Sequence, residues 1–223
     1  MVKENTVIAV VLNYLPTTVN YALAIAYIVV LTRYIPLIQY GYYNALFAII
    51  NSISALIPIP GISGAIAREG AIEYARGDDA KLYFAVMVFM SLVMAIIYGL
   101  IIALATPVYL SNGIPSWLLG TAYIYIGVVF AQSVAGALGL YLWLMGRVAS
   151  QGMGSTLNML VMRAFQVLLI IAMRNVYALA LSVLLGSLAQ LLYYLGIVRG
   201  FVDPRAGIDV IRGRARYLLE FGF

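Results

Sequence analysis

Arg163 stands near the middle of an apolar run, from about Leu157 to Met173, that is long enough to lie in hydrocarbon. Holding a charge at such a depth costs about 2.5–3.5 kcal/mol on insertion scales, so its retention points to a use. A planar guanidinium matches phosphate oxygens as a two-pronged fork, and the chemistry expected here is an anion contact in a water-filled cavity. The competing reading has Arg163 capping carbonyls freed by a broken helix, with Gln190 as a further partner. At helical spacing Ser155, Thr156, Asn158 and Gln166 fall with Arg163 within ~160° of arc. Two uncharged stripes accompany it. Asn13, Thr17 and Asn20 follow one another at i, i+4 and i+7 beside Pro16, and Asn44 and Asn51 lie seven apart with Ser54 one turn on. Such amides can be interhelical glue, at about 0.6–2 kcal/mol per contact, or they can line a cavity and offer donors and acceptors to a polar substrate. Both readings stand on the sequence. The candidate substrate contacts are therefore Arg163, Gln166, Asn158, Asn13, Thr17, Asn20, Asn44 and Asn51.

The residue types present narrow the chemistry further. The chain contains no histidine and no cysteine, which removes imidazole and thiolate metal sites and catalysis by either group. No metal or cofactor is expected. All eight carboxylates (Glu4, Glu69, Glu73, Asp78, Asp79, Asp203, Asp209 and Glu220) fall outside the apolar runs, so a proton or sodium relay built on an intramembrane acid is not expected. The mixed-sign segment from Arg68 to Lys81 reads as a solvated turn and not as a catalytic acid pair.

The elements that must position these groups are membrane helices. With 65% hydrophobic and 9% charged residues and a mean hydropathy of +1.02, the chain is too apolar for a water-soluble globule. The sequence predicts an all-α integral membrane protein with six spans, near Val7–Leu31, Tyr42–Ala67, Leu82–Ala105, Trp117–Met145, Leu157–Met173 and Val176–Val198. The second is expected to open at a Gly41 turn and to break at Pro58, Pro60 and Gly61, facing protein or water because hydrocarbon cannot replace the lost donors. Lys3, Arg68, Arg76, Lys81, Arg147, Arg199, Arg205, Arg212, Arg214 and Arg216 fall on one side of these spans, and only Arg33 and Arg174 on the other. That distribution puts both termini in the cytoplasm of a multi-pass cell-membrane protein. It also makes the net charge of +5 a topology signal, with no nucleic-acid partner implied. Tyr109 and Trp117 are expected at the outer interface, and Trp143, Tyr193 and Tyr194 at the inner one. The RGRAR run at Arg212–Arg216 is expected to hold the tail inside near anionic head groups. Small residues at four-residue spacing (Ser91, Ala95, Gly99, Ala103; Ala131, Ala135, Gly139; Ser182, Gly186) are expected to be packing seams.

Three stretches carry a family resemblance. LTRYIPLIQYGYYNALFAIINSISALI followed by AREGAIEYARGDDAK resembles the first two helices and next loop of Wzx-type polysaccharide flippases, in the superfamily of MurJ and the MATE exporters. GLYLWLMGRVASQGMGSTLNMLVMRAFQVLLIIAM is similar to that family's passage from fourth to fifth helix, and the likeness covers nearly the whole chain. The resemblance implies one lobe of a two-lobe transporter that moves a polyprenyl-phosphate-linked oligosaccharide outward by alternating access, without covalent chemistry. Residues 1–198 would form the six-helix lobe, and residues 199–223 a basic cytoplasmic tail leading toward a seventh helix. A second lobe, on another chain, on a second copy or in a C-terminal half, would then be a partner beside the bilayer and the lipid-linked glycan. Arg163 would meet the phosphate; Arg33, at the outer end of the first helix, is a second candidate for that contact, with an interfacial anchor as the role expected first. Rival readings are an exporter of drugs or organic cations and a membrane subunit that transports nothing.

Overall fold

A computed structural model of the chain describes residues 6–56, 70, 72, 75, 76, 81–110, 115 and 117–198. Among these, six long helices are defined: α1 (Thr6–Tyr34), α2 (Leu37–Leu56), α3 (Lys81–Leu110), α4 (Trp117–Leu144), α5 (Val148–Met173) and α6 (Tyr177–Val198), and no strand occurs. Four are long and apolar enough to cross a membrane, over Met87–Leu104, Trp117–Leu144, Val148–Met173 and Tyr177–Val198, while Val19–Tyr34 of α1 forms a shorter apolar stretch.

Three boundaries differ from the sequence reading, each for a local physical reason. Gly41 is not a turn; it lies inside α2, which begins directly after Pro36. A residue preceding proline is pushed out of the helical region, so α1 stops before Ile35, and the Pro36 carbonyl accepts the first α2 bond from Tyr40 N–H at 3.1 Å. The fifth helix starts at Val148, nine residues before the expected Leu157, because the run Ser150–Ser155, rich in loop-forming residues, is helical and packed. α3 continues past Pro107 to Leu110. The predicted break at Pro58, Pro60 and Gly61, the Arg68–Lys81 loop as a whole, the Tyr109 side chain and the tail lie outside the described residues.

Specific contacts fix the relative directions of four helices. α1 and α5 run parallel, with Asn20 beside Arg163 and Tyr34 beside Arg174. α4 and α6 also run parallel, since Tyr177 Oη donates to the Trp117 carbonyl at 2.6 Å at one end and Gly139 meets Tyr194 near the other. Between them α5 and α6 are antiparallel, with Asn158 against Gly186 and Gly154 against Tyr194. The spatial order is α1, α5, α6, α4, α3, and α2 touches the rest mainly through Tyr43 and Phe47 on Tyr125 of α4.

The predicted seams are where the backbones close. Ala95, Ala131, Ala135, Gly139, Ser182 and Gly186 are buried. A Cβ on Gly186 would stand 2.7 Å from the Asn158 carbonyl, and one on Gly99 would be 3.1 Å from Ile126. Tyr194, expected at the inner interface, is only 1% exposed. Its ring fills the space between Gly139 and Gly154, and Trp143 is the exposed ring at that end. α4 ends in a Schellman turn, with Gly146 at φ +70°, Arg147 N–H on the Leu142 carbonyl and Gly146 N–H on that of Trp143.

Candidate functional site

Helical geometry brings two rows of side chains face to face along the α1–α5 seam. Asn20, Tyr27 and Tyr34 recur every seven residues and so share one face of α1; Arg163, Ile170 and Arg174 share one face of α5. At the centre, Arg163 Nε donates to Asn20 Oδ1 at 3.1 Å and Nη1 donates to Gln166 Oε1 at 2.9 Å. The Tyr27 ring lies under the guanidinium, 5.0 Å from centroid to carbon, a distance at which the ring face attracts a cation. Gln166 is 6% exposed, so its amide is a fixed part of the floor.

Each of these partners is neutral. Residues 5–68 and 80–202 contain no Asp or Glu, so nothing among the described residues cancels the charge on Arg163. A guanidinium has five N–H donors; two bonds orient it, and the other three have no hydrogen-bond partner among the described residues. The arrangement fixes a cation in place with its charge intact, which is what recognition of an anion needs.

The remaining candidates separate from this centre. Asn158 turns to α6, donating to Gln190 Oε1 at 2.6 Å, and the Gln190 amide donates in turn to Tyr194 Oη at 3.2 Å. Tyr194 Oη then donates to the Gln151 carbonyl at 2.7 Å. This chain of bonds is interhelical glue between α5 and α6, and it engages Gln190, which is not the Arg163 partner the sequence suggested. The expected polar arc of α5 is thus divided. Five residues of helix, about 500° of rotation, carry Asn158 to a different face from Arg163. Ser155 and Thr156 bond carbonyls of their own helix, at Gln151 and Gly152. Asn44 is exposed on α2. The Asn13, Thr17 and Asn51 side chains lie outside the described residues. A crevice of about 360 Å³ among Gly139, Trp143, Gln151, Gln190 and Tyr194 is separate from Arg163 and belongs to the α4–α5–α6 junction.

Sequence reasoning missed Tyr27. The signal was present: continuing the Asn13–Asn20 interval by seven reaches Tyr27 and then Tyr34. It also missed that α2 joins α4 through phenols. Tyr40, Tyr43 and Phe47 stack in a row with centroids 6.4 Å apart, and Tyr43 Oη shares a hydrogen bond with Tyr125 Oη inside the core.

No curated protein and no solved structure shows significant similarity to the chain. A family model described as "Polysaccharide biosynthesis protein" matches residues 7–223, across all six helices described above. On that match, together with four apolar helices of membrane-spanning length, the chain belongs to the polysaccharide biosynthesis protein family of membrane proteins.

Proposed function

We propose that the chain is a six-span lobe of a transporter that moves a polyprenyl-phosphate-linked oligosaccharide from the inner to the outer leaflet of the cell membrane for surface polysaccharide synthesis. The observation that carries this reading is Arg163, held by Asn20, Gln166 and Tyr27 without any acidic partner among the described residues. Family membership makes a saccharide the relevant cargo class. The lipid carrier supplies a phosphate, and the free edge of the guanidinium is the group that would hold it. In hydrocarbon-like surroundings an unneutralised arginine and a phosphate each carry a desolvation cost, and pairing offsets both. Asn20 and Gln166 pre-orient the fork, so little side-chain entropy is lost on binding.

No bond in the cargo is made or broken in this scheme. The chain acts as a carrier, and alternating access arises from rocking of this lobe against a second one around the phosphate site. The up-and-down order of the helices, with the basic residues at the cytoplasmic ends, supports an arrangement with both termini inside.

The competing reading treats Arg163 as a clamp tying α1 to α5. Complementation of cells that lack the gene distinguishes the two. Arg163→Ala is expected to abolish surface polysaccharide and to leave the lipid-linked precursor on the inner leaflet at normal protein abundance, with Arg163→Lys restoring part of the output. Full surface polysaccharide from the alanine variant would refute the carrier role of Arg163.

A further inference from the structure

The α1–α5 seam carries a second cationic place, which neither the family match nor the reading of Arg163 assigns. At the ends of α1 and α5, Arg33 and Arg174 both approach the Tyr34 ring, with guanidinium carbons 5.9 and 5.5 Å from its centroid. Both arginines are exposed, and no carboxylate lies among the described residues around them. Arg174 also holds a left-handed backbone, φ 50° and ψ 35°, closing α5 through its N–H on the Ile170 carbonyl at 2.9 Å. That conformation favours glycine or asparagine, and Asn175 stands next door acting as the α6 cap, its Oδ1 accepting from Tyr177 N–H at 3.0 Å. A long cationic side chain kept at a strained position implies a use for that side chain.

Arg174 lies eleven residues beyond Arg163, which returns it to the same face of α5 about 16 Å further along. Each arginine rests against a tyrosine of α1 at the matching level, Arg163 on Tyr27 and Arg174 on Tyr34. The seam therefore repeats one device at two depths: a guanidinium packed on a phenol ring, without a counter-ion among the described residues. The geometry points to Arg33 and Arg174 as a second phosphate-binding station, where the phosphate of a lipid-linked cargo is received after leaving Arg163. Two guanidiniums packed on one ring suit a diphosphate, whose several oxygens can engage both forks. The inference rests on the flippase reading of Arg163 for its order of events, but its binding chemistry is independent of that reading.

The test uses the purified full chain in uncharged detergent, with farnesyl diphosphate as the probe and native mass spectrometry as the readout of stoichiometry. The wild type is expected to bind two equivalents. Arg33→Gln/Arg174→Gln should lose one, with at least about tenfold weaker binding at that site, and Arg163→Gln should lose the other. Farnesol, which lacks phosphate, should bind at neither. One equivalent in the wild type, lost only in Arg163→Gln, would overturn the second station and leave the role of Arg163 standing. One equivalent lost only in the double variant would overturn Arg163 and retain the outer site. Competition separates the sources of phosphate: displacement from the outer pair by phosphatidylglycerol as effective as by unlabelled farnesyl diphosphate would make Arg33 and Arg174 a bilayer anchor and refute the station. Displacement by inorganic phosphate at equal concentration would refute recognition of a lipid-linked phosphate.

Discussion

Gly154→Ala is expected to be severely destabilising, although alanine is the better helix former by roughly 1 kcal/mol. A Cβ at Gly154 would overlap Cε1 of Tyr194, where carbon contacts normally settle at about 3.5–4.0 Å. The ring cannot simply retreat, because on its other side it packs against Gly139, where even an added Cβ would be only 3.3 Å from Tyr194 Cε2, and Tyr194 is 1% exposed. Moving it also loosens two hydrogen bonds, to the Gln151 carbonyl at 2.7 Å and from Gln190 at 3.2 Å. Overpacking costs about 1–3 kcal/mol and two weakened bonds about 0.5–1.5 each, so the net loss after the helix gain is on the order of 3 kcal/mol. For a chain of this size that is a fall in Tm of about 6–12 °C. Gly136, one turn from Gly139 on the same helix, is the matched control: a Cβ there meets nothing within 4 Å, so Gly136→Ala should melt with the wild type or slightly above it. Thermal unfolding in detergent, followed through Trp117 and Trp143 fluorescence, measures both. If Gly154→Ala melts within about 2 °C of Gly136→Ala, the packing of Tyr194 against α5 is refuted.

Gly186→Ala should behave like Gly154→Ala, because its Cβ would meet the Asn158 backbone at 2.7 Å, and a normal melt by the same assay would contradict the α5–α6 approach. Tyr43→Phe and Tyr125→Phe should each cost about 1 kcal/mol, and a double-mutant cycle in denaturant should return a coupling of about 0.6–1.5 kcal/mol, as expected for one shared buried bond; additive losses would place the two phenols apart. Cysteines introduced at Asp78 and Arg205 should be protected from an impermeant thiol reagent outside intact cells, while one at Asn112 should label. The reverse pattern would invert the orientation.

The packing seams were legible because helix association in lipid depends on small residues, and Ala131, Ala135 and Gly139 or Ser182 and Gly186 have no other reason to recur every fourth position. The centre was half legible. Arg163 and Gln166 announced themselves by polarity, and Asn20 by its stripe, but which helix Arg163 faces depends on tertiary neighbours, and Asn158, five residues away, answers to a different one. Tyr27 was hidden because tyrosine in an apolar run looks like ordinary filling; only its interval from Asn20 betrays it. Gly152 and Gly154 fell outside the expected fifth span because glycine signals flexibility in isolation, whereas here both lie in a continuous helix and the missing side chain of Gly154 makes room for the Tyr194 ring. The Gly41 error has the same origin, and Pro36, with its lock on the preceding residue, was the true punctuation.

Arg163→Ala separates transport from architecture because its stability terms nearly cancel. Removing the charge relieves about 2.5–3.5 kcal/mol of insertion cost, while the lost contacts to Asn20, Gln166 and Tyr27 are worth about 2–4 kcal/mol together. The direct measurement is leaflet exchange of a fluorescent polyprenyl-phosphate-linked glycan in proteoliposomes formed from membranes that contain the chain and its partners, with thermal unfolding of the purified variant alongside. For Arg163→Ala, exchange is expected at the protein-free background with an essentially unchanged unfolding midpoint. Exchange at the wild-type rate with a lowered midpoint would contradict it and make Arg163 a clamp between α1 and α5.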